Sequence, residues 1–290
     1  MDWFQVTASR YELHKQRALS SARPITVIVL AVGILMVAWP RNDTDNPGPF
    51  PYTGAPLTAE ASGALTAGGW TLTGPDAPPG QFAVTRAPAA GETRWLVYFG
   101  GNTPGYLAEA KDLLLSLDEG RGLGLAAFAP PGFDGSPGEP SPEALRESAT
   151  KAMRWLVSAH PSAAGNIHLV GFSMGSMAAL AAAQALNDVK APAKHLVLFA
   201  PFHQMKVRPS GLRGYVFRLH RYDNRPLLKN KEQPPALVLH GAADSALPVA
   251  QGNHVSRALS APIKVYPDIG HADLLKHPAA LADARQGLGL

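Results

Sequence analysis

The sequence predicts an α/β domain in which helices cover both faces of a mostly parallel sheet. Short apolar runs alternate with helical patterns over most of the chain, and this alternation is typical of parallel strands joined by helices. One of the runs leads directly into a Gly-x-Ser-x-Gly turn and an Ala-rich helical stretch, the order in which a strand presents a serine at the start of a helix. The candidate strands are six runs: 95–99, 123–128, 167–170, 195–199, 236–239 and 263–266.

Length and composition allow one such domain and exclude several functions. The chain has 290 residues, of which 46% are hydrophobic, enough for a single α/β unit of more than about 200 residues. Its net charge of +4 is spread along the chain without dense Lys/Arg runs, so nucleic acid is not an expected partner. The lack of cysteine excludes disulfides, thiolate metal sites and cysteine catalysis.

The N-terminal part of the chain predicts a membrane anchor. Residues 24–39 carry no charge, and as a helix they would span about 24 Å, slightly less than the hydrocarbon core of a bilayer. Basic residues gather before this segment, so the positive-inside rule leaves residues 1–23 in the cytoplasm and the rest of the chain on the periplasmic or extracellular side. A cleaved signal peptide is the main alternative, but no small-x-small site follows the apolar stretch. We therefore predict a single-pass signal anchor and a membrane localisation.

The folded domain is predicted to follow a linker. Residues 40–67 contain five prolines among Gly, Asn and Thr, a composition that favours an extended spacer. The domain is expected to fill residues 68–290. It begins with two short antiparallel edge strands, 70–73 and 81–86, separated by a Pro/Gly-rich turn.

Two helices have clear sequence signals. Ser141 is typical of an N-cap because Pro142 follows at the first helical position, and apolar residues then recur at helical spacing through Val157. The second helix is expected over 176–186, where Ala, Met and Leu predominate.

The candidate nucleophile is Ser173, which lies in the turn Gly171-Phe-Ser-Met-Gly175 between a buried strand and the second helix. Glycine is required on both sides because side chains there would collide with neighbouring backbone. The alternative is an ordinary βα turn in which the serine caps the helix.

A serine nucleophile needs a base, and the base needs an acid that holds its tautomer. Asp244 and His271 follow Ser173 in the order Ser, Asp, His, and each lies in the loop after a candidate strand. Parallel strands bring such loops to one edge of the sheet, so these three residues are the predicted catalytic triad. Asp223 and Asp273 are the alternative acids.

The oxyanion of the tetrahedral intermediate needs two donors. The N–H of Met174, directly after the nucleophile, is the first. The second is expected from Gly101 or Asn102, in the Gly-rich loop after the first candidate parallel strand.

These motifs together resemble the α/β-hydrolase superfamily, in particular its single-pass, membrane-anchored serine hydrolase branch, which is related to serine aminopeptidase and lysophospholipase-like hydrolases. The sequence departs from the family pattern at Gly100, where histidine is common, and at Pro131 and Phe133-Asp134, where the family has arginine and Tyr-Gly. The resemblance rests on five stretches: Tyr98-Phe-Gly-Gly-Asn102, Ala129-Pro-Pro-Gly-Phe-Asp-Gly-Ser-Pro-Gly138, Gly171-Phe-Ser-Met-Gly175, Val238-Leu-His-Gly-Ala-Ala-Asp-Ser-Ala-Leu-Pro248 and Gly270-His-Ala-Asp-Leu274.

The resemblance implies a small cap over the site at about 202–233. This segment holds eight basic residues and two acidic ones. The charge favours anionic headgroups or an acidic substrate, or it marks a solvated cap surface.

The predicted activity is hydrolysis of a carboxylic ester or thioester, in a small-molecule or lipid-like acylated substrate, through an acyl-enzyme on Ser173. This chemistry needs no metal or organic cofactor. Two alternatives are an aminopeptidase-like serine peptidase and a non-catalytic, membrane-anchored binding module. The acyl length and the oligomeric state do not follow from the sequence.

Overall fold

A computed structural model describes residues 56–207 and 220–290. The chain divides into two units, Met1–Asp43 and Thr44–Leu290, and the described residues all lie in the second.

The central feature of the described unit is an eight-stranded, mostly parallel sheet. Its strand order is β1-β2-β4-β3-β5-β6-β9-β10, with β1 and β2 antiparallel at one edge and the other six strands parallel to one another. β7 and β8 form a separate antiparallel pair. The strands are β1 (Thr71–Thr73), β2 (Ala83–Arg86), β3 (Trp95–Phe99), β4 (Gly124–Phe128), β5 (Ile167–Phe172), β6 (His195–Phe199), β7 (Gln204–Val207), β8 (His220–Asp223), β9 (Ala236–Gly241) and β10 (Ile263–Tyr266).

Helices flank this sheet. α2 and α7 pack on each other, as do α3 and α4, and α6 packs on β9 and β10. Single 3-10 turns occupy Pro161–Ala163 and Asp273–Lys276. The helices are α1 (Ala59–Thr66), α2 (Tyr106–Asp118), α3 (Pro142–Ala159), α4 (Gly175–Asp188), α5 (Arg225–Leu228), α6 (Val249–Leu259) and α7 (Pro278–Leu288). The predicted fold class, a mostly parallel sheet with flanking helices, is confirmed for the described residues.

Local chemistry explains why these elements form where they do. Every residue of β3, β4 and β5 is buried, as expected of strands covered by helices on both faces. α3 begins as predicted, because the Ser141 hydroxyl accepts a hydrogen bond from the Ala144 N–H at 3.0 Å and Pro142 occupies the first turn.

The predicted linker 40–67 needs a correction at its C-terminal end, because Ala59–Thr66 is the helix α1. The last proline of the segment is Pro56, and the residues after it are mostly helix formers. The Thr58 hydroxyl caps the helix N-terminus, and Leu65 is buried in the core. The Lys111 ammonium donates to the carbonyls of Ala64, Leu65 and Ala67 at its other end. The linker residues up to 55 lie outside the described residues.

The predicted membrane localisation is contradicted and we withdraw it. None of the helices found in 56–207 and 220–290 is both long and apolar enough to cross a bilayer. The longest of them, α3, has 18 residues but carries charged side chains along its outer face, whereas the apolar helix α4 has only 14. The segment 24–39, on which that prediction rested, lies outside the described residues.

A pair of stacked histidines lies at the end of the sheet opposite the Gly-x-Ser-x-Gly turn. His168 on β5 and His195 on β6 bring their Nδ1 atoms to 3.2 Å, and the ring centroids are 5.2 Å apart. One Nδ1 must donate and the other accept, so the contact requires a neutral ring. Burial, together with the neighbouring charge of His195, lowers the pKa of His168 to about 4.

The lowered pKa of His168 predicts that the protein becomes less stable in acid. The unfolded chain takes up a proton at His168 near its ordinary pKa of 6.5, whereas the folded chain does so only near pH 4. The contribution of His168 to the unfolding free energy is therefore fully present above its pKa in the unfolded chain. It is lost as the pH falls from about 6.5 towards 4. We expect His168 to account for about 2 kcal/mol of the unfolding free energy lost between pH 7 and pH 5. Urea unfolding at pH 7 and pH 5 should show a smaller loss of unfolding free energy in His168→Gln than in the wild type. His254→Gln, an exposed control, should lose as much as the wild type. An equal loss in all three proteins would contradict the prediction.

Candidate active site

Ser173 lies in the turn that joins β5 to α4, one residue beyond the end of the strand. Its φ of 51° falls in the left-handed region, which a non-glycine residue adopts at a cost of the order of 1 kcal/mol or more. The Ser173 N–H donates to the carbonyl of Phe199 on β6 at 2.9 Å, and this bond holds the turn in place. The strained turn leaves the serine side chain partly exposed at the carboxyl edge of the sheet.

The two glycines of this turn are required by close backbone approaches. A Cβ on Gly171 would lie 2.8 Å from the Ala179 Cβ and 2.9 Å from the Gly175 carbonyl oxygen. A Cβ on Gly175 would overlap the carbonyl groups of Phe99 and Gly100 in the neighbouring strand and loop. The steric reason expected from the sequence therefore applies at both positions.

Asp244 and His271 form a direct hydrogen bond. The His271 Nδ1 lies 2.6 Å from the Asp244 Oδ2, and since an ionised carboxylate can only accept, Nδ1 donates. In the neutral ring this tautomer leaves Nε2 as the acceptor. The other carboxylate oxygen, Oδ1, accepts from the N–H groups of Ala246 at 2.9 Å and Leu247 at 2.7 Å. Asp244 is 7% exposed.

The pKa of Asp244 reflects two opposed effects. Burial alone would raise it, but the hydrogen bond and charge of His271 and the N–H of Leu247 outweigh burial and hold the pKa below its usual value. The carboxylate is thus ionised throughout the neutral range and keeps its bond to the imidazole.

Two loops bring this pair together. Gly241 ends β9, and a Cβ there would overlap the carbonyl oxygen of Ile269 in the loop after β10. The Ala243 N–H donates to the same carbonyl at 3.1 Å. The glycine thus lets the loop of Asp244 lie directly against the loop of His271.

His240 is a packed residue near the end of β9. It is fully buried, and its Nε2–H donates to the Leu247 carbonyl at 2.9 Å. Burial lowers the pKa of His240, so the ring is neutral. Its hydrogen bond to Leu247 supports the loop that carries Asp244.

A cavity of about 250 Å³ opens between these loops. Ser173 and His271 both line it, and the ring of His271 packs on that of Phe172 with centroids 4.8 Å apart. Met205 of β7 lines the cavity from the segment predicted as a cap. The described lining comprises Asn102, Thr103, Glu109, Phe172, Ser173, Met174, Met205, Ala246, Leu247, His271 and Ala272.

The predicted oxyanion residues lie beside the serine. Met174 is the N-cap of α4, so its N–H is one of the donors that the helix leaves without an internal partner. A Cβ on Gly101 would lie 2.9 Å from the Phe172 ring and 3.3 Å from the Ser173 Cβ, so the loop backbone passes close to the serine. Asn102 lines the cavity and is exposed.

Sequence reasoning missed two residues that hold this loop. The Tyr106 hydroxyl accepts from the Gly100 N–H at 2.7 Å, and its ring fills the space that a side chain at position 100 would need. Asp134 accepts from the Leu107 N–H at 2.7 Å and so caps α2, whose own N-cap residue, Gly105, has no side chain to do so. Asp134 lies at one position where the sequence departs from the family pattern, and Tyr106 packs against Gly100, which is another. Those departures were the available signal.

Glu109 is a third residue that the sequence did not indicate. It lies in the first turn of α2 and lines the cavity, and the Tyr98 hydroxyl donates to its Oε1 at 3.0 Å. Burial raises the pKa of Glu109, against the opposing hydrogen bonds from Tyr98 and Thr103.

In the part of the chain that the structure describes, neither alternative acid is hydrogen-bonded to His271. Asp223 forms an ion pair with Arg225 at 2.6 Å, and Asp273 begins a 3-10 turn beyond His271. Within the part of the chain that the structure describes, no group of three or more His, Asp or Glu side chains is arranged to hold a metal ion.

The segment predicted as a cap, 202–233, is described in part. Its antiparallel pair β7–β8 and the short helix α5 lie between β6 and β9, whereas residues 208–219 are outside the described residues. The structure describes only three of its eight basic side chains, those of Arg225, Lys229 and Lys231, so the basic cap remains a prediction.

Comparison with known proteins identifies the fold. No family model matches the chain. It is 26% identical over 269 residues to the uncharacterized protein Rv2307c of Mycobacterium tuberculosis, an alignment that covers 87% of this chain and 89% of the relative. A hyperthermophilic esterase from Pyrobaculum calidifontis superposes with a TM-score of 0.58 and 18% identity, over 79% of this chain and 90% of the esterase. A serine hydrolase without lid from Xanthomonas campestris does so with a TM-score of 0.53 and 19% identity, over 77% and 94% of the two chains.

The chain has the α/β-hydrolase fold. This confirms the superfamily resemblance at the level of fold, whereas the membrane-anchored branch is not shown.

Proposed function

We propose that this α/β-hydrolase-fold protein is a serine hydrolase that cleaves carboxylic ester or thioester bonds, with Ser173 as nucleophile, His271 as base and Asp244 as the acid that orients it. One observation carries the proposal: His271, bonded at 2.6 Å to a buried carboxylate, lines the same cavity as a serine held in a strained turn. The esterase and hydrolase neighbours add support.

The proposed reaction has two halves. In the first, the Ser173 Oγ attacks the substrate carbonyl carbon while Nε2 of His271 takes the hydroxyl proton. The bond to the leaving oxygen or sulfur then breaks, and the imidazolium returns that proton to the leaving group. In the second, His271 takes a proton from water and the hydroxide attacks the acyl carbon. The bond from that carbon to the Ser173 Oγ then breaks, the imidazolium gives its proton to Oγ, and the acid is released. Asp244 keeps the proton on Nδ1 throughout and stabilises the transient imidazolium.

The oxyanion is proposed to bind the N–H of Met174 and a second donor from Gly101 or Asn102. Support comes from the approach of the Gly101 backbone to Ser173, and from the Tyr106 and Asp134 contacts that fix the loop. Fixed donors cost no reorganisation when charge develops in the transition state.

A fluorophosphonate probe tests the proposal directly, since such probes react only with an activated serine. We expect the wild-type chain to be labelled and Ser173→Ala to remain unlabelled. The matched control is Ser158→Ala, which removes an exposed hydroxyl from α3 and should be labelled like the wild type. Equal labelling of all three proteins, or of none, would overturn the proposal, and the second outcome would favour a non-catalytic binding module.

A further inference from the structure

Glu109 is the one acidic side chain among the described residues that line the active-site cavity. Apart from His271, the other described lining residues are apolar or neutral. Glu109 is therefore the one negative charge that the described lining presents beside Ser173.

The hydrogen bond to the Glu109 carboxylate comes from a neutral donor. Tyr98, fully buried on β3, donates its hydroxyl to Oε1 at 3.0 Å. This donor orients the carboxylate and does not neutralise it. Among the lysine and arginine side chains that the structure describes, none forms an ion pair with Glu109. The charge of Lys276 acts on it from a greater distance, as does that of His271 when the ring is protonated.

An oriented carboxylate at the wall of a partly enclosed cavity attracts a cation more strongly than one in water, because the surroundings screen its charge less. Charge-assisted hydrogen bonds to such a group are about twice as strong as neutral ones. The same field disfavours a substrate that carries a carboxylate or phosphate at this position.

We propose that Glu109 is a specificity subsite for a cationic group of the substrate, so that the preferred substrates are small esters or thioesters bearing an amine or a quaternary ammonium. The assignment rests on the proposed function of Ser173. The cavity of about 250 Å³ matches a small ester better than a long acyl chain. The ammonium belongs to either the acyl part or the alcohol part, and the chemistry that recognises it is the same in both.

The experiment compares pairs of esters that differ only in this charge. For the alcohol part the pair is butyrylcholine and neohexyl butyrate; for the acyl part it is p-nitrophenyl β-alaninate and p-nitrophenyl butyrate. Each is tested on wild type, Glu109→Gln and Glu147→Gln. The Glu109 variant keeps an oxygen that can accept from Tyr98 but loses the charge. Glu147, an exposed glutamate on α3, provides the same substitution away from the cavity.

We expect wild type and Glu147→Gln to prefer the cationic ester of at least one pair by about 10- to 100-fold in kcat/KM, mainly through KM. Glu109→Gln should lose that preference, because its kcat/KM falls much more for the cationic ester than for the neutral one. The pair that shows the effect identifies which part of the substrate carries the cation. Equal kcat/KM for both members of each pair in the wild type, or an equal loss on cationic and neutral esters in Glu109→Gln, would overturn the subsite.

Binding separates this inference from the proposed reaction. Calorimetry on Ser173→Ala should show tighter binding of the cationic ester than of its neutral partner, and Ser173→Ala/Glu109→Gln should remove the difference. If the wild type hydrolyses nothing but this difference is present, the subsite stands and the proposed hydrolysis fails. If hydrolysis is observed without any charge preference in binding, the proposed hydrolysis stands and the subsite fails.

Discussion

Ser173→Ala is expected to lower the turnover of an ester substrate by about 10⁴- to 10⁶-fold, because it removes the atom that forms the acyl-enzyme. The residual rate should come from the oxyanion donors and from binding alone. Initial rates with p-nitrophenyl butyrate, measured at high enzyme concentration, give the ratio to the wild type.

The fold of this variant should be unchanged. The Ser173 hydroxyl forms no hydrogen bond that holds the turn; the contact that does so is made by the N–H, which alanine retains. We expect the unfolding free energy to stay within about 1 kcal/mol of the wild type. A variant that loses activity and also loses several kcal/mol of stability would show a structural role for the serine, and one that retains turnover would contradict the proposed mechanism.

Asp244→Asn is expected to lower kcat by about 10⁴-fold while the protein remains folded. The carboxylate uses Oδ1 to accept from two backbone N–H groups and Oδ2 to accept from His271. Asparagine has a single acceptor oxygen, which the two N–H groups retain. Its amide NH₂ then faces the Nδ1 of His271 and donates to it, so the imidazole proton moves to Nε2. A protonated Nε2 cannot accept the proton of Ser173.

The matched control is Asp268→Asn. Asp268 is exposed in the loop that precedes His271, and its φ of 57° suits asparagine. The Asp268→Asn variant should retain the wild-type kcat. A loss of less than about tenfold in Asp244→Asn would contradict the assigned role of this carboxylate, provided that circular dichroism shows both variants folded.

Much of the fold could be predicted because local patterns decide it. Three of the six apolar runs coincide with β3, β6 and β10 at both ends, and the others differ by one or two residues. The turn at Ser173 could be predicted because its glycines leave few alternatives. The hairpin β7–β8 was missed because no apolar run marks it, and α1 was missed because the prolines before it dominated the composition of its segment.

Some residues of the site could be predicted from the sequence and others could not. Chain order alone placed Asp244 and His271 after successive strands, and the parallel sheet then brings their loops to one edge. Nothing in the local sequence of Glu109 or Tyr106 separates them from ordinary residues of a helix start, and the departure at Asp134 does not by itself show what that side chain contacts. Their roles arise from contacts with residues that are distant in the sequence or lie on another element.

By itself, the sequence determined the strand, turn and helix around Ser173, the order of the three proposed catalytic residues and the parallel sheet that gathers them. These features depend on periodicity, on glycine sterics and on chain order, all of which are local. Only the tertiary structure decided which acid bonds to His271, which residues fix the oxyanion loop and that Glu109 faces the cavity. Burial and hydrogen bonding between distant segments decide such features, and they exist only once the chain has folded.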